Sequence, residues 1–300
     1  MTLDSKAHRW VVLGALHFDI STKIDGRWFA LTEDAQTWTD IQAELGGVAG
    51  NIVRSFAEVR EQVDLIAVVG DDPLGQLLLE TADSAIAAAT VWPAVIPRTR
   101  TGIVNIIHIG GGVTDARLMI APDRSAVDSV RYSDVSHKLA ELRHEASDLI
   151  LDGYMLREQL DLWLDDLQVL KNDGWRIHLE LVPHSGWQGL AAHTLDRLSM
   201  LCATISASLG TLEKILGLPS GLELGAEQRA ARFAEHAQAS WTESNARITG
   251  RFGATMSSFG PSMVLVSRSL VPVHKACAEL PDNWTLSVGD AANAGRLWRS

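Results

Sequence analysis

A glycine turn that leads into a helix-forming segment lies late in the sequence. It reads TLSVGDAANAG over residues 285–295, and Asp290 stands between Gly289 and a run of small residues. The first N–H groups of a helix have no partner within the helix, so they attract anions. Asp290 is therefore either a general base beside a bound anion or a residue that only caps the helix.

A second set of polar and glycine residues occurs early in the sequence. Asp19 follows an apolar run, and Gly46, Gly47 and Asn51 come later. A carboxylate can accept hydrogen bonds from both hydroxyls of a diol, an amide offers a donor and an acceptor, and glycine lets the backbone approach a ligand. Taken alone, Asp19 is more typical of a solvated turn, and the later segment is equally compatible with a tight turn before a helix.

Composition limits the classes of function. The chain has 300 residues, 46% of them hydrophobic and 21% charged, which is typical of a soluble globular protein with a large core. The formal net charge of -11 argues against nucleic acid as the main partner. Cys202 and Cys277 form no disulfide or zinc pattern, so we expect a reducing cytoplasm. We find neither a signal peptide nor an apolar run of about 18 to 20 residues, and therefore expect no membrane association.

Apolar segments alternate with helical ones along the chain, which predicts a parallel sheet with crossover helices. We expect a buried first strand over residues 9–20 that ends in a turn carrying Asp19. A glycine-opened helix over 46–60 and a buried strand from residue 63 should follow. The second half repeats this alternation, with strands predicted over 147–155, 175–183 and 201–209.

Two further segments alternate apolar and polar residues, as half-exposed antiparallel strands do. They read GRWFALT, residues 26–32, and TGIVNIIHIGGGVTDARLMIA, residues 101–121. We expect them to form a small accessory sheet.

The common phosphate-binding fingerprints do not occur: no Gly-Lys pair exists, and no GxGxxG follows the first strand. An ordered series of other motifs is present instead. It consists of Gly14 with Asp19, then residues 46–51, then 70–75, then Glu213 before Leu216–Gly217, and finally 287–290. This series resembles the ribokinase-like, or PfkB-type, family of carbohydrate and nucleoside kinases over nearly the whole chain.

The resemblance implies a single α/β domain over residues 1–300. Its fold would be a ribokinase-like three-layer sandwich, with a mainly parallel central sheet flanked by helices and a small β-sheet lid. The lid strands would come from about residues 20–45 and 99–120. Members of the family often share this lid between two subunits, so we expect a homodimer through the lid strands. The motif VVGDDPLG, residues 68–75, is expected to shape the fold rather than to carry chemistry.

The early motif set would bind the acceptor. By resemblance, Asp19, Gly46, Gly47 and Asn51 contact a sugar or nucleoside. His17 stands near this set and would help to select the ligand.

The late motif would carry the reaction. In the family this turn reads Gly-Ala-Gly-Asp, its backbone N–H groups hold the phosphoryl charge, and the aspartate takes the proton of the attacking hydroxyl. Gly289 and Asp290 match this motif, while Ser287 and Val288 replace glycine and alanine. The implied reaction is transfer of the γ-phosphoryl group of ATP to a hydroxymethyl group of the acceptor.

Two weaker motif matches would complete the nucleotide site. Thr249, Gly250 and Gly253 resemble the segment that lines the nucleotide, although this stretch also fits a surface hairpin. Glu213 matches a glutamate that orients water around Mg²⁺, and it is alternatively a favourable charge at a helix start. ATP and Mg²⁺ are thus the expected cofactors.

Departures from the family pattern define the alternative function. Gly210 stands where the family has an asparagine, Ser287 and Val288 alter the anion turn, and only ten residues follow Asp290, where the family usually continues to wall the adenine pocket. The alternative is a ribokinase-fold protein that binds a sugar or nucleoside and has weak or no kinase activity.

Overall fold

The computed structural model describes residues 9–25, 39–58, 62–86, 89–110, 116–181, 192–207 and 264–267. The strands are β1 (Arg9–Ala15), β2 (His17–Asp25), β3 (Ile41–Gly46), β4 (Val63–Gly70), β5 (Ala89–Ile96), β6 (Gly102–Gly110), β7 (Ala116–Ile120), β8 (Ala146–Asp152), β9 (Arg176–Leu181), β10 (Thr204–Ala207) and β11 (Val264–Ser267). The helices are α1 (Val48–Glu58), α2 (Pro73–Ala85), α3 (Tyr132–Leu142), α4 (Leu160–Asn172) and α5 (Ala192–Leu201). None of the helices in these ranges is long and apolar enough to cross a bilayer.

The larger of two sheets has seven strands in the order β11-β10-β9-β8-β1-β4-β5. β4 pairs in parallel with β5, β8 with β9 and β9 with β10, whereas β11 runs antiparallel to β10. Every residue of β4 is buried, as expected for a strand covered on both faces. These features confirm the mainly parallel central sheet flanked by helices.

The smaller sheet has four strands in the order β3-β2-β6-β7. β2 runs antiparallel to β3 and parallel to β6, and β7 returns antiparallel to β6. The predicted accessory sheet is therefore confirmed. Residues 26–32, which we expected to contribute a strand, lie outside the described residues.

The expected single strand over residues 9–20 is wrong. The chain leaves β1 at Ala15, and β2 begins at His17, so that Asp19 lies within a strand instead of a turn. Residues 11–16 are continuously buried, and the N–H of Leu16 still donates to the carbonyl of Val68 at 3.2 Å. From residue 17 onward, polar and apolar residues alternate, which is typical of a strand with two different faces.

By contacts, the chain divides into two compact units, Leu13–Val135 and Met1–Val12 with Ser136–Ser300. We call them the 13–135 unit and the 136–300 unit.

In the 136–300 unit, α4 buries one stripe of side chains against the core: Trp163, Leu164, Leu167 and Leu170.

A glycine follows the end of α4. Gly174 has φ +88°, a conformation that favours glycine, and a Cβ there would lie 2.6 Å from Nη2 of Arg143. The guanidinium of Arg143 donates to the carbonyls of Asp173, Gly174 and Ala146 and lies over the Trp175 ring. This contact fixes the turn into β9.

The turn between β4 and α2 is tied to the start of β6. Oδ1 of Asp72 accepts from the N–H of Gly75 at 2.8 Å and from the hydroxyl of Thr101 at 2.7 Å, and Oδ2 accepts from the N–H of Thr101 at 2.8 Å. The hydroxyl of Thr101 in turn accepts from the N–H of Gly70. Burial opposes ionisation of Asp72, but the hydrogen bonds from Thr101 and Gly75 outweigh it and lower the pKa of Asp72. The VVGDDPLG motif is structural, as expected.

We predict that Asp72→Ala lowers the free energy of unfolding by about 2 kcal/mol, because it removes a helix cap and both bonds to Thr101. Urea denaturation at pH 7 measures this loss. Asp83→Ala replaces an exposed aspartate on the same helix and should change stability by less than about 0.5 kcal/mol. Equal losses in the two variants would contradict the role of Asp72.

Candidate functional site

The Asp19 carboxyl group lies on one face of the smaller sheet, in the 13–135 unit. In β2, Asp19 is directly opposite Glu44 of β3 and Val104 of β6. A Cβ at Gly46 would lie 2.0 Å from Cγ of Asp19, closer than any non-bonded contact allows. Gly46 is therefore required by the position of the Asp19 carboxyl group.

Gly47 is required for a different reason. Its φ is +89°, and a Cβ there would lie 2.4 Å from the carbonyl oxygen of Ala15. This turn lets α1 begin at Val48 directly after β3. Asn51, in the first turn of α1, donates its N–H to the carbonyl of Gly47 at 3.0 Å and is half-buried. The two glycines thus place a carboxylate on a strand and an amide at a helix start.

His17 precedes Asp19 by two residues, so the two share a face of β2. It is opposite Gly46 and Gly102, and a Cβ at Gly102 would lie 2.5 Å from Cδ2 of its ring. Burial lowers the pKa of His17 to about 4, so its imidazole is neutral at pH 7. Within the described residues, Nε2 of His17 has no hydrogen-bond partner.

Two charged residues at this site were not identified from the sequence. Arg54 donates through Nη2 to Oδ1 of Asn51, and its Nη1 lies 3.5 Å from Oε2 of Glu44. Arg54 follows Asn51 by three positions, which places both on one side of a helix, so the predicted helix already contained this signal. Glu44 could not be recognised in the sequence, because only the register of β2 and β3 brings it opposite Asp19.

Burial and charge set the protonation of Asp19. Burial first, and then the neighbouring Glu44 carboxylate, raise the pKa of Asp19 to about 6, while the Arg54 guanidinium opposes them. At pH 7 and above Asp19 is therefore mainly ionised and can only accept hydrogen bonds. The site offers a carboxylate acceptor next to an amide and a neutral imidazole.

The 136–300 unit contains a buried polar cluster that the sequence analysis also missed. Asp152, Glu180 and Ser206 lie side by side at or near the carboxyl ends of β8, β9 and β10. The Ser206 hydroxyl donates to Oε2 of Glu180, and Asp152 accepts from the N–H of Tyr154 at 2.9 Å. Burial, and secondly the Asp152 carboxylate, raise the pKa of Glu180 to about 8, although the Ser206 bond opposes them. Ligands of α/β proteins commonly bind at this end of the strands.

Solved structures of sugar and nucleoside kinases share this architecture. The structure of ribokinase from Giardia lamblia has a TM-score of 0.60 and 13% sequence identity, and the match covers 78% of this chain and 66% of that one. For adenosine kinase from Anopheles gambiae, solved with P1,P4-di(adenosine-5) tetraphosphate, the TM-score is 0.56 and the identity 16%, over 76% of this chain and 73% of that one. The chain has a ribokinase-like fold.

A third structure of the same fold is an uncharacterized sugar kinase from Pyrococcus horikoshii in complex with ATP. Its TM-score is 0.52 and its identity 18%, and the match covers 69% of this ribokinase-fold chain and 65% of that one. This chain thus spans just under two thirds of the length of this kinase and of the Giardia ribokinase. No protein-family model and no curated protein matches the sequence.

The structure brings together five of the residues that we assigned to the ribokinase-type site: His17, Asp19, Gly46, Gly47 and Asn51. The remaining assigned residues lie outside the described ranges, so their roles stay predictions. They are Glu213, Thr249, Gly250, Gly253, Ser287, Val288, Gly289 and Asp290.

The raised pKa of Glu180 predicts a dependence of stability on pH. In the folded chain Glu180 keeps its proton up to a pH of about 8, whereas the ordinary pKa of this group is 4.5. Its contribution to the free energy of unfolding is therefore complete below pH 4.5 and is lost as the pH rises through 8. Relative to Glu180→Gln, the wild type should lose up to about 1.4 kcal/mol of unfolding free energy per pH unit between pH 5 and 8.

Urea denaturation at several pH values measures this difference. Glu80→Gln removes an exposed carboxylate on α2 and serves as the control for loss of one charge. Parallel stability curves for the wild type and Glu180→Gln would show that Glu180 does not hold a proton in the folded chain.

Proposed function

We propose that this chain transfers the γ-phosphoryl group of ATP to a hydroxymethyl group of a sugar or nucleoside. The observation that carries the proposal is the packing of the Asp19 carboxylate against Gly46, next to the turn that presents Asn51. It occurs in a fold that sugar and nucleoside kinases share, and one similar structure contains ATP.

The acceptor would bind through its hydroxyl groups. An ionised Asp19 accepts hydrogen bonds from two neighbouring hydroxyls, and the Asn51 amide contacts a further polar atom of the ligand. Gly46 and Gly47 keep side chains away from the bound molecule. His17, neutral and buried beside Asp19, helps to select the acceptor. These contacts suit a vicinal diol such as that of a pentose.

The reaction would use the late motif. Asp290 takes the proton of the acceptor hydroxymethyl group as its oxygen forms a bond to the γ-phosphorus, the bond to the β-γ bridging oxygen breaks, and ADP leaves. The N–H groups of the turn at Ser287, Val288 and Gly289 stabilise the phosphoryl charge.

The nucleotide contacts belong to the same proposal. Thr249, Gly250 and Gly253 would line the nucleotide, and Glu213 would help to hold Mg²⁺ through its bound water. Mg²⁺, when bound, neutralises charge on the phosphates. The net charge of -11 favours a small molecule over nucleic acid as the partner, and two isolated cysteines suit a cytoplasmic location.

A second candidate function rests on the same acceptor site. The residues that replace the family pattern, Gly210, Ser287 and Val288, all belong to the phosphoryl-transfer half of the motif series. They favour a protein that binds the sugar or nucleoside and transfers phosphate slowly or not at all.

We further propose that the smaller sheet mediates a homodimer. The face of this sheet that points away from the Asp19 carboxyl group is apolar and exposed. The exposed fractions are 67% for Ile41, 48% for Ile120, 41% for Leu118 and 40% for Ile103. Apolar sheet faces of this kind are usually covered in the native assembly. A second copy of the chain would cover this one.

Light scattering tests the dimer. Ile41→Lys places a charge on the apolar face and should halve the measured mass at micromolar concentration. Gln42→Lys introduces the same charge on the opposite face, one residue away, and should leave the dimer intact. A wild-type monomer over a wide range of concentrations would contradict the proposal.

Replacement of Asp290 tests phosphoryl transfer. Asp290→Asn keeps the size and much of the capping ability of aspartate, so we expect an unchanged melting temperature and a rate about 10² to 10⁴ times lower. The rate is measured as ADP release from ATP-Mg²⁺ with a panel of pentoses, hexoses and nucleosides.

The result separates the two candidate functions. Equal turnover by the wild type and Asp290→Asn would eliminate Asp290 as the base. If the folded wild type binds an acceptor in calorimetry but releases no ADP, the binding protein is the correct function.

A further inference from the structure

Arg54 contacts the acceptor site although the proposed function gives it no role. It lies on α1, one turn after Asn51, and its guanidinium reaches two partners on different elements. Nη2 donates to Oδ1 of Asn51, and Nη1 lies 3.5 Å from Oε2 of Glu44 on β3. The guanidinium therefore links the helix that carries Asn51 to the strand that faces Asp19.

The contact with Arg54 determines what Asn51 offers to a ligand. A carboxamide has one accepting oxygen and one donating NH₂ group. Arg54 occupies one of the two lone pairs of the oxygen and fixes the orientation of the amide, so the Nδ2 group is the part of Asn51 that this contact leaves entirely to the ligand. Asp19 is an acceptor when ionised, so the site combines an acceptor on β2 with a donor on α1. A hydroxylated ligand can use both, since each hydroxyl donates once and also accepts.

The same guanidinium favours the ionised form of Asp19. Glu44 is directly opposite Asp19, and two carboxylates in that arrangement repel each other. Arg54 supplies the opposing positive charge from α1. From β6, the positions opposite Asp19 and His17 are Val104 and Gly102, which carry no charge.

The remaining ionisable groups of the sheet lie farther along the strands. Lys23, exposed on β2, is four residues from Asp19 and faces His108 of β6. His17 is neutral, as described above. Among the described residues, Glu44 and Arg54 are therefore the charges that act on the pKa of Asp19, in addition to its burial.

We propose that Arg54 is a positioning residue of the acceptor site, which orients the Asn51 amide as a donor and places a positive charge against Glu44, the residue opposite Asp19. The proposal rests on the proposed function insofar as the ligand is a hydroxylated molecule. Its effect on Asp19 does not depend on any ligand.

Titration of the Asp19 carboxyl group by carbon-13 NMR, without ligand, is the first test. Arg54→Met removes the positive charge and should raise the midpoint above the wild-type value of about 6. Glu44→Gln removes the repelling carboxylate and should lower it. Glu44 is exposed, so its replacement keeps the test decisive even if Arg54→Met does not fold. A midpoint that fails to move in these directions overturns the proposal.

Calorimetry at pH 8 with D-ribose and adenosine as probes is the second test. Arg54→Met should weaken binding about tenfold, the loss expected when one hydrogen-bonding group is no longer held in place. Arg54→Lys keeps the positive charge but loses the planar guanidinium group. It should therefore change the titration midpoint of Asp19 less than it changes the affinity for the probe. Unchanged affinity in Arg54→Met would overturn the orienting role. If the wild type binds neither probe, the acceptor assignment fails, and the NMR titration still decides whether Arg54 favours the ionised form of Asp19.

Discussion

The candidate site depends on one steric constraint, the space that the Asp19 carboxyl group occupies beside Gly46. Any side chain at position 46 would overlap the carboxyl group. The pairing of β2 with β3 that brings these residues together also places Glu44 opposite Asp19. Directly after Gly46, the positive φ of Gly47 turns the chain into α1. The position of the carboxylate, its repelling neighbour and the helix that carries Asn51 and Arg54 thus follow from a single local arrangement.

Electrostatics is the second consequence of that arrangement. A half-buried carboxylate with another carboxylate beside it resists ionisation, and the Arg54 guanidinium partly offsets both effects. In the 136–300 unit, burial and the Asp152 carboxylate likewise disfavour the ionised form of Glu180. In both places burial of acidic groups leaves protonation sensitive to the immediate neighbours. Perturbed carboxyl groups of this kind are frequent at functional sites, although structural networks also contain them.

Much of the fold was predictable because its strongest signals are local. The continuous apolar segment at β4 and the glycine-opened α1 were identified from residue type and spacing alone. The motif at residues 68–75 was expected to shape the fold, but the hydrogen bonds of Asp72 within it were not foreseen. The break between β1 and β2 was missed, because an apolar run that crosses from one sheet to another looks continuous in sequence. Within the site, Asp19 and Asn51 were identified by their place in a motif series. Glu44 and Arg54 belong to no motif, and they acquire a role only through strand register and helix geometry.

We propose that Asp19 binds the hydroxyl groups of an acceptor, and calorimetric titration of the wild type and Asp19→Ala tests this binding role. The probes are D-ribose and adenosine, and circular dichroism confirms that the variant is folded. Asp19→Ala should weaken binding at pH 8 by about 1.5 to 3 kcal/mol, the range for hydrogen bonds to a charged group. Wild-type affinity should fall as the pH is lowered through about 6, where Asp19 gains a proton. Equal affinity in a folded Asp19→Ala variant, with no change through that pH, would contradict the binding role of Asp19.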